Sequence, residues 1–429
     1  MSDSSQVDRK ENGIFAWCLY DWAHSAFGTI VTTFVFGPYF IRAVAPTPTE
    51  GTVLWGYTMS AVALFVALVS PVLGAIADQS GRCKPWLITF TTLCTLFSCT
   101  LYVVTPSLTP IWLALVLVAC ATITSDLAWV FYNSLLPSLV SRDRLGRVSG
   151  RAWSYGYLGG MLSVIVALVV FVRDGAPLRI LDTGAYEPIR ATAILAGIWV
   201  SVFALPLYAL TPDRPTRAVP MRKAIFLGLT TLGVTLRDVL NQANIVWFLT
   251  SWLFISNGLG TLFAFAGIYA AGTFDMDLED VMLFAIAVNI TAGIGAAIFG
   301  PVDDLIGPKK TILGAVAALI LLGAVLVTTD SKKVLWIAGL ALGVFIGPAQ
   351  AASRSFMARL VPKGKEAQMF GLYALSGRVT SFAGPLVLAF ITDVFMNQRA
   401  GMASILVFFA LALFALTRVR EPAAKEAES

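Results

Sequence analysis

About twelve runs of apolar residues, each long enough to cross a membrane as a helix, divide this chain of 429 residues. A helix needs about 20 apolar residues to cross about 30 Å of hydrocarbon, where the backbone must satisfy its own hydrogen bonds. We number the runs span 1 to span 12. They lie near residues 14–41, 53–77, 86–105, 111–139, 148–172, 191–211, 246–272, 281–302, 311–328, 334–360, 368–394 and 401–417.

Composition supports the same interpretation. Hydrophobic residues make up 57% of the chain and charged residues 13%, whereas soluble domains carry about 25% charged residues. The first run is too long for the core of a signal peptide and contains Asp21 and His24, so we expect it to be retained. The sequence therefore predicts an all-α polytopic membrane protein with 12 transmembrane helices.

The distribution of lysine and arginine predicts the orientation. Placed on alternating loops, 21 of these residues fall on the side that holds both termini and 7 fall on the other side. The positive-inside rule then puts both termini in the cytoplasm. For a bacterial-type cell this means the inner (plasma) membrane. The net charge of +5 thus reflects orientation and gives no indication of nucleic-acid binding.

Residue types exclude several kinds of chemistry. The five cysteines form no CxxC pair and there is one histidine, so we expect free packing thiols and no metal site. No P-loop is present, and no nucleophile–base arrangement is visible. We therefore expect no cofactor, no ATP-driven motor and no enzyme.

A short polar motif occurs twice, between spans 2 and 3 and between spans 8 and 9. We call residues 74–84 motif 1 and residues 300–310 motif 2. An offset of 226 aligns Gly74 with Gly300, Asp78 with Asp304 and Gly81 with Gly307. Such a repeat indicates duplicated halves, a common plan among transporters. An ordinary inter-helix turn carrying positive-inside charges is the simpler alternative for either copy alone.

The repeat predicts two pseudo-symmetric six-helix bundles, residues 1–212 and 246–429, joined by a basic linker, residues 213–245. Within the linker, Met221 to Leu240 suits a helix that lies along the inner membrane surface, where its basic side chains meet lipid headgroups.

Polar residues on one face of span 1 and one face of span 4 are candidates for the transport pathway. Asp21 and His24 lie one turn apart and form a plausible proton-carrying pair. The alternative is an interfacial Asp21 that sets the helix start, with His24 hydrogen-bonded to it. Asp126 and Asn133 lie on one face of span 4, and Asp126 serves either transport or a structural ion pair.

Span 7, span 10 and span 11 carry the candidates of the second half. Asn257 stands before Gly258-Leu259-Gly260, where we expect an unwound or flexible turn. Gln350 and Arg354 share a face of span 10. Arg378 lies near the middle of span 11 and must meet an anion, either substrate or a structural acid.

The two motifs and three further stretches resemble the major facilitator superfamily, and within it the vacuole-effluxer-like branch. The motif positions that carry the resemblance are Gly74, Asp78, Gly81, Arg82 and Lys84 in motif 1, and Gly300, Asp304, Gly307, Lys309 and Lys310 in motif 2. The further stretches are residues 17–27, 78–86 and 149–160. Fungal members of that branch export amino acids from the vacuole. His24 stands where the branch usually has Asn.

The resemblance implies two bundles that rock about a central cavity lined by spans 1, 4, 7 and 10. It also implies that Asp78 faces the start of span 11 near Ala367, that Asp304 faces span 5 near Val148, and that both contacts stabilise the outward-open state.

Together these observations predict a monomeric secondary active transporter that moves a small polar solute, an amino acid or related zwitterion. Asp126 would meet its ammonium group and Arg354 or Arg378 its carboxylate. We expect efflux, with protons as a candidate coupling ion and membrane lipids as further partners. The alternatives are a lipid or amphiphile transporter and a receptor or scaffold that does not transport.

Overall fold

The computed structural model describes residues 2–106, 110–173, 176–177, 184–215 and 219–421. Within these residues all regular structure is helical, as predicted. The helices that correspond to the twelve predicted spans are Ser2–Phe27 (continued to Val44 by short helical pieces), Pro48–Ser80, Lys84–Thr100, Ile111–Leu139, Leu145–Ala167, Glu187–Leu210, Ala243–Phe274, Leu278–Ile306, Pro308–Thr328, Lys332–Leu360, Glu366–Arg378 with Ala383–Phe395, and Gln398–Thr417.

A thirteenth helix of the described chain is also long and apolar enough to cross a membrane. It is the linker helix, Met221–Asn241, which the sequence predicts to lie along the membrane surface. Residues 216–218 of the predicted linker lie outside the described residues, as do residues 422–429 of the C-terminal tail.

Local sequence signals set where several helices begin. Asp277, Ser331 and Asn397 accept backbone hydrogen bonds as N-caps of spans 8, 10 and 12. Each motif contains a glycine with positive φ just after its first helix ends, 77° at Gly81 and 94° at Gly307. Only glycine adopts this conformation without steric strain, so the chain can reverse tightly into the next helix.

The first compact unit comprises residues 1–66, 82–135 and 155–216. Its core joins apolar side chains of span 1 to those of spans 4 and 6, among them Phe36, Phe40, Val118, Ala196 and Val200. Span 1 contains a π-helical stretch, Gly28–Phe34, in which the hydroxyls of Thr32 and Thr33 both donate to the Gly28 carbonyl. π-Helical turns within an α-helix frequently occur at functional sites.

The second compact unit comprises residues 67–81, 136–154 and 217–429. It therefore includes the end of span 2 and the start of span 5, together with the linker helix and spans 7–12. Span 10 packs on spans 8 and 9, and span 12 packs on spans 7 and 9. The contacts of Asp78 and of Asp304 both lie within this unit.

The prediction that the helix of span 7 is interrupted at Gly258-Leu259-Gly260 is wrong. Helix Ala243–Phe274 runs unbroken through Gly258-Leu259-Gly260, and a Cβ at Gly258 would lie 2.6 Å from the Phe409 ring. This glycine therefore allows span 12 to pack closely. The interruption occurs in span 11 instead, where turns at 379–382 separate helix Glu366–Arg378 from helix Ala383–Phe395.

Candidate functional site

Motif 1 places Asp78 against the beginning of span 11. The side chain is buried, with 4% exposure. Its Oδ1 accepts from the Ala367 amide at 3.0 Å and its Oδ2 from the Gln368 amide at 2.8 Å. These are the second and third residues of helix Glu366–Arg378, where amides lack intrahelical partners and the helix dipole favours an anion. Asp78 therefore caps span 11, at the place that the resemblance implies.

Small residues bring spans 2 and 11 into backbone contact beside this cap. A Cβ at Gly74 would lie 2.3 Å from the Ala367 carbonyl oxygen, and one at Gly371 would lie 2.6 Å from the Ser70 carbonyl oxygen. The Ser70 hydroxyl donates to the Gly371 carbonyl at 3.3 Å. Because no Cβ fits at Gly74 or Gly371, the motif glycine is needed for this approach.

Motif 2 forms the same arrangement with span 5. Asp304 Oδ1 accepts from the Gly146 amide at 2.7 Å and Oδ2 from the Arg147 amide at 2.9 Å. These are again the second and third residues of a helix, here Leu145–Ala167. A Cβ at Gly150 would lie 2.3 Å from the Ala296 carbonyl oxygen and 2.8 Å from the Gly300 Cα. The two caps are therefore geometric equivalents.

Motif 2 also contains an ionic network that sequence reasoning did not identify. Arg359 contacts Asp303 Oδ1 at 2.5 Å and Asp304 Oδ1 at 2.9 Å. Asp303 is buried and also accepts a hydrogen bond from the Ser355 hydroxyl. The Arg359 side chain donates a further hydrogen bond to the Arg142 carbonyl. In the sequence, the two adjacent aspartates at 303–304 could have predicted this network, because two neighbouring carboxylates that become buried require a cation.

Lys84 and Lys309 hold equivalent places within the two halves. Lys84 Nζ donates to the Tyr208 and Thr211 carbonyls at 2.7 Å each, at the end of span 6. Lys309 Nζ donates to the Val419 and Thr417 carbonyls at 2.6 and 3.4 Å, at the end of span 12. The offset of 226 would instead pair Lys84 with Lys310, which is exposed. Arg82 is exposed as well.

A buried polar cluster joins span 1 to spans 3 and 4 in the first unit. Asp21 is 1% exposed, and its Oδ2 accepts from the Tyr132 hydroxyl at 3.0 Å. The Tyr20 hydroxyl hydrogen-bonds the Thr91 hydroxyl at 2.7 Å. His24 Nε2 lies 2.9 Å from the Ser125 hydroxyl and 3.2 Å from the Ser125 carbonyl oxygen. The structure therefore brings Asp21 and His24 to span 4 through Tyr132 and Ser125.

Aromatic rings surround this cluster. His24 stacks on Trp129 at 4.6 Å between ring centroids, and Trp129 lies 5.1 Å from Tyr132. Tyr132 in turn stacks on Trp17 at 4.4 Å and on Tyr20 at 4.8 Å. Such packing fixes the orientation of the Tyr132 hydroxyl and of the His24 ring.

The two other candidates in the first unit have different environments. Asp126 directly follows Ser125 and is only partly buried. Asn133 is 3% exposed, and its amide donates to the Trp129 carbonyl at 2.9 Å. In this conformation Asn133 therefore bonds its own helix.

In the second unit, Asn257 lies against the interruption of span 11. Its amide donates to the Leu253 carbonyl at 2.8 Å and to the Thr380 hydroxyl at 3.0 Å. The Ser256 hydroxyl donates to the Gly377 carbonyl at 3.0 Å. Arg378 is the last residue of the first helical piece and is partly buried. Hydrogen bonds from span 7 thus hold the interrupted segment where Arg378 ends the helix.

Arg354 and Gln350, on span 10, occupy unlike surroundings. Arg354 is 2% exposed, and it donates from Nε to the Ser149 hydroxyl at 2.9 Å and from Nη2 to the Ser149 carbonyl at 2.8 Å. Its guanidinium also lies 5.4 Å from the centre of the Trp153 ring. Gln350, one turn earlier, is only partly buried. Arg354 therefore ties span 10 to the start of span 5.

A cavity of about 520 Å³ lies at the ends of spans 7, 11 and 12 in the second unit. Phe265, Ile268, Leu388 and Met402 are among its apolar lining residues, and Asp393 stands beside them. Its lining is formed by residues other than the predicted pathway residues.

The comparison with known families decides the identity of the chain. The family model described as "Vacuole effluxer Atg22 like" matches residues 51–429. The chain belongs to the Atg22-like vacuole effluxer family. Family and fold are those of transporters, which are not enzymes, and the chain is a multi-pass integral membrane protein of the major facilitator superfamily.

Relatives of this Atg22-like protein occur in bacteria and fungi. The uncharacterized MFS-type transporter YxiO of Bacillus subtilis (strain 168) is 24% identical over 411 residues, which are 95% of this chain and 94% of YxiO. Autophagy-related protein 22 of Yarrowia lipolytica is 25% identical over 317 residues, which are 66% of this chain and 52% of that protein. The alignment thus spans about half the length of the fungal relative.

Solved structures confirm the major facilitator fold of this Atg22-like chain. The Escherichia coli fucose:proton symporter FucP matches with a TM-score of 0.75 at 12% identity, over 95% of this chain and 98% of FucP. The human organic anion transporter MFSD10 matches with a TM-score of 0.67 at 17% identity, over 95% of this chain and 99% of that chain. At these identities the likeness establishes the fold alone.

Proposed function

We propose that this protein exports a small polar solute, an amino acid or related zwitterion, by alternating access across a bacterial-type inner membrane with both termini cytoplasmic. The observation that carries the proposal is the pair of equivalent carboxylate caps, Asp78 on span 11 and Asp304 on span 5. Each joins helices of different sequence halves by hydrogen bonds that can form and break. A receptor or scaffold that never moves would have little use for two such caps.

Two partly buried side chains of opposite charge support a zwitterion. Asp126 is partly buried and suits an ammonium group, whereas Arg378 is partly buried and suits a carboxylate. Of the two arginines predicted for the carboxylate, Arg378 is the better candidate. Arg354 is buried, with 2% exposure, whereas Arg378 is only partly buried.

Proton coupling is the second part of the proposal. Asp21 accepts from Tyr132 and His24 contacts Ser125, so hydrogen bonds link two titratable groups of span 1 to the helix that bears Asp126. We propose that a proton occupies Asp21, His24 or Asp126 during part of the cycle.

The substrate is tested by counterflow in proteoliposomes with a panel of amino acids. We expect exchange of at least one member, and loss of that exchange in Arg378→Gln but retention in the matched variant Arg399→Gln, which lies at the start of span 12. Exchange of no amino acid would contradict the substrate assignment.

Coupling is tested in the same vesicles under a pH gradient. We expect Asp126→Asn combined with neutral replacements of Asp21 and His24 to exchange solute without concentrating it. If this variant still concentrates solute, coupling does not use these residues.

An amphiphile is the second candidate solute. The apolar cavity between spans 7, 11 and 12 favours it, because a lipid tail fits an apolar cleft of about 520 Å³. If the protein translocates a fluorescent lipid and Leu388→Trp blocks that translocation, the amphiphile is favoured, whether or not amino acids are exchanged.

A further inference from the structure

The linker helix, Met221–Asn241, has one face in contact with motif 1. Ala224, Gly228 and Val239 are buried. A Cβ at Gly228 would lie 2.9 Å from the Ile76 Cα, so the two backbones touch. Gln79 Nε2 donates to the Thr231 hydroxyl at 3.5 Å. Ile76 and Gln79 stand on either side of Asp78, and the linker helix therefore rests on the residues that position the first cap.

The same helix reaches the segment that Asp78 caps. Asp238 Oδ2 lies 3.7 Å from Lys365 Nζ, and Lys365 directly precedes helix Glu366–Arg378. Both side chains are about half exposed, so the ion pair itself contributes little to stability. Its position matters more, because the linker helix thereby contacts both partners of the Asp78 cap.

The opposite face of the linker helix is apolar and exposed. Phe226, Leu229, Val234 and Leu240 are between 53% and 67% exposed. An exposed set of large apolar side chains of this kind indicates a partner other than water. Since this helix belongs to a multi-pass membrane protein, hydrocarbon at the edge of the bilayer is the neighbour at hand.

Basic side chains border that apolar face. Arg222 and Lys223 are exposed in the first turn, and Arg237 is exposed near the last turn. The step of four residues from Arg222 to Phe226 puts both on one side of the helix. The apolar side chains can contact lipid acyl chains, while the neighbouring cations contact the headgroup phosphates.

We propose that the outer face of the linker helix binds anionic phospholipid, and that this binding holds the helix on motif 1 and favours the closed Asp78 cap. The two faces are opposite, so lipid and motif 1 are bound at the same time. The gating consequence rests on the proposed function, whereas the lipid binding does not.

Cross-linking measures whether the helix is docked. The double variant Gln79→Cys/Thr231→Cys places two thiols at a contact that exists only when the linker helix rests on motif 1. Disulfide yield is compared in vesicles of phosphatidylcholine alone and of phosphatidylcholine mixed with phosphatidylglycerol, with Gln79→Cys alone as the background. We expect the docked-to-undocked ratio to rise with phosphatidylglycerol, by roughly fivefold for each basic residue engaged.

Charge variants identify the residues responsible. Arg222→Gln/Lys223→Gln/Arg237→Gln should abolish the dependence on phosphatidylglycerol while leaving the yield in phosphatidylcholine unchanged. Lys333→Gln/Lys363→Gln removes exposed lysines elsewhere and should keep the full dependence.

Equal yields in both lipids would overturn the proposal, as would a triple variant that keeps the lipid dependence. A yield that rises with protein concentration and ignores lipid would show that a second copy of the chain covers this face. Docking is read without any transport assay, so a failed amino-acid exchange would refute the proposed function and leave this result intact.

Discussion

Motif 1 and motif 2 build the same backbone arrangement with different electrostatics. In both, an aspartate accepts the second and third amides of a helix, and a glycine allows backbones to approach within a distance that no Cβ permits. The residue before the aspartate differs, since Ala77 stands where motif 2 has Asp303. Motif 2 thereby acquires a buried ion pair with Arg359, and motif 1 is instead contacted by the linker helix.

This difference shows that the backbone geometry of the two motifs is the same although the charges around them differ. Cap and glycine are what both copies retain, and under the proposed function they close one side of the transporter. The ionic network of motif 2 and the linker contact of motif 1 are additions to one copy each. Substitutions should therefore affect the shared parts alike and the added parts unequally.

The largest effect is expected from Arg359→Ala. It leaves Asp303 buried without its cation, and breaking a buried pair costs about 3–5 kcal/mol. Thermal unfolding in detergent should show a large loss of stability. Arg359→Ala/Asp303→Ala, which removes both charges, should recover most of it. If the double variant is no more stable than the single one, the ion pair does not distinguish motif 2.

The next effect is expected from the glycines at the two helix contacts, Gly74 in motif 1 and Gly150 in span 5 opposite motif 2. In Gly74→Ala and Gly150→Ala the new Cβ would lie 2.3 Å from a carbonyl oxygen, so the helices must separate, at a cost of about 1–3 kcal/mol. Thiol labelling of cysteines introduced at Ser70 and at Ala351 should increase equally in the two variants. Gly260→Ala, where open space surrounds the glycine, is the matched control. A strong effect at one motif only would break the equivalence.

A smaller effect is expected from Asp78→Asn. The amide can accept from one backbone N–H of span 11 where the carboxylate accepts from two, and it loses the attraction to the helix dipole, together worth about 1 kcal/mol. Solute exchange should slow, and inward-open forms should increase without unfolding. If solute exchange is unchanged, and thiol labelling on the side of the membrane that carries most lysines and arginines is also unchanged, motif 1 is an ordinary turn.

The smallest effect is expected from Asp304→Asn. It also loses one amide hydrogen bond, but it removes the repulsion between Asp303 and Asp304, and Arg359 keeps Asp303 as its partner. Because the lost hydrogen bond and the lost repulsion oppose each other, we expect a change in unfolding free energy of about 0.5 kcal/mol or less. Measured by the same labelling assay, Asp304→Asn should be milder than Asp78→Asn, and the reverse order would refute our account of the difference.

The sequence predicted the twelve spans and the two repeated motifs because both depend on local patterns. Span length follows from apolar runs, and the repeat at an offset of 226 marks Asp78 and Asp304 as equivalent. A prediction of the contacting amides further needed the resemblance to a known family. The roles of Asp21, His24, Asp126 and Arg378 stay predictions that the transport assays test.

What the sequence did not predict depends on packing between distant segments. The sequence around Gly258 predicts an unwound turn in span 7. In the structure Phe409 packs against Gly258 and the helix continues. Helix Pro308–Thr328 of span 9 begins two residues earlier than the aligned register implies, and Lys309, not Lys310, matches Lys84. Arg354 reads as a cavity residue, but its bonds to Ser149 depend on a residue 205 positions away.

The interruption of span 11 has a mechanical consequence. Turns with bonds from Ser381 to Arg378 and from Ala383 to Thr380 replace one stretch of regular α-helix. A helix bends most readily where its hydrogen-bond ladder departs from the regular pattern. If the piece that Asp78 caps moves, residues 379–382 are therefore its pivot, since span 7 holds that segment through Asn257 and the piece beyond packs on span 12. Release of the Asp78 carboxylate would then move helix Glu366–Arg378, 13 residues long, while helix Ala383–Phe395 keeps its position.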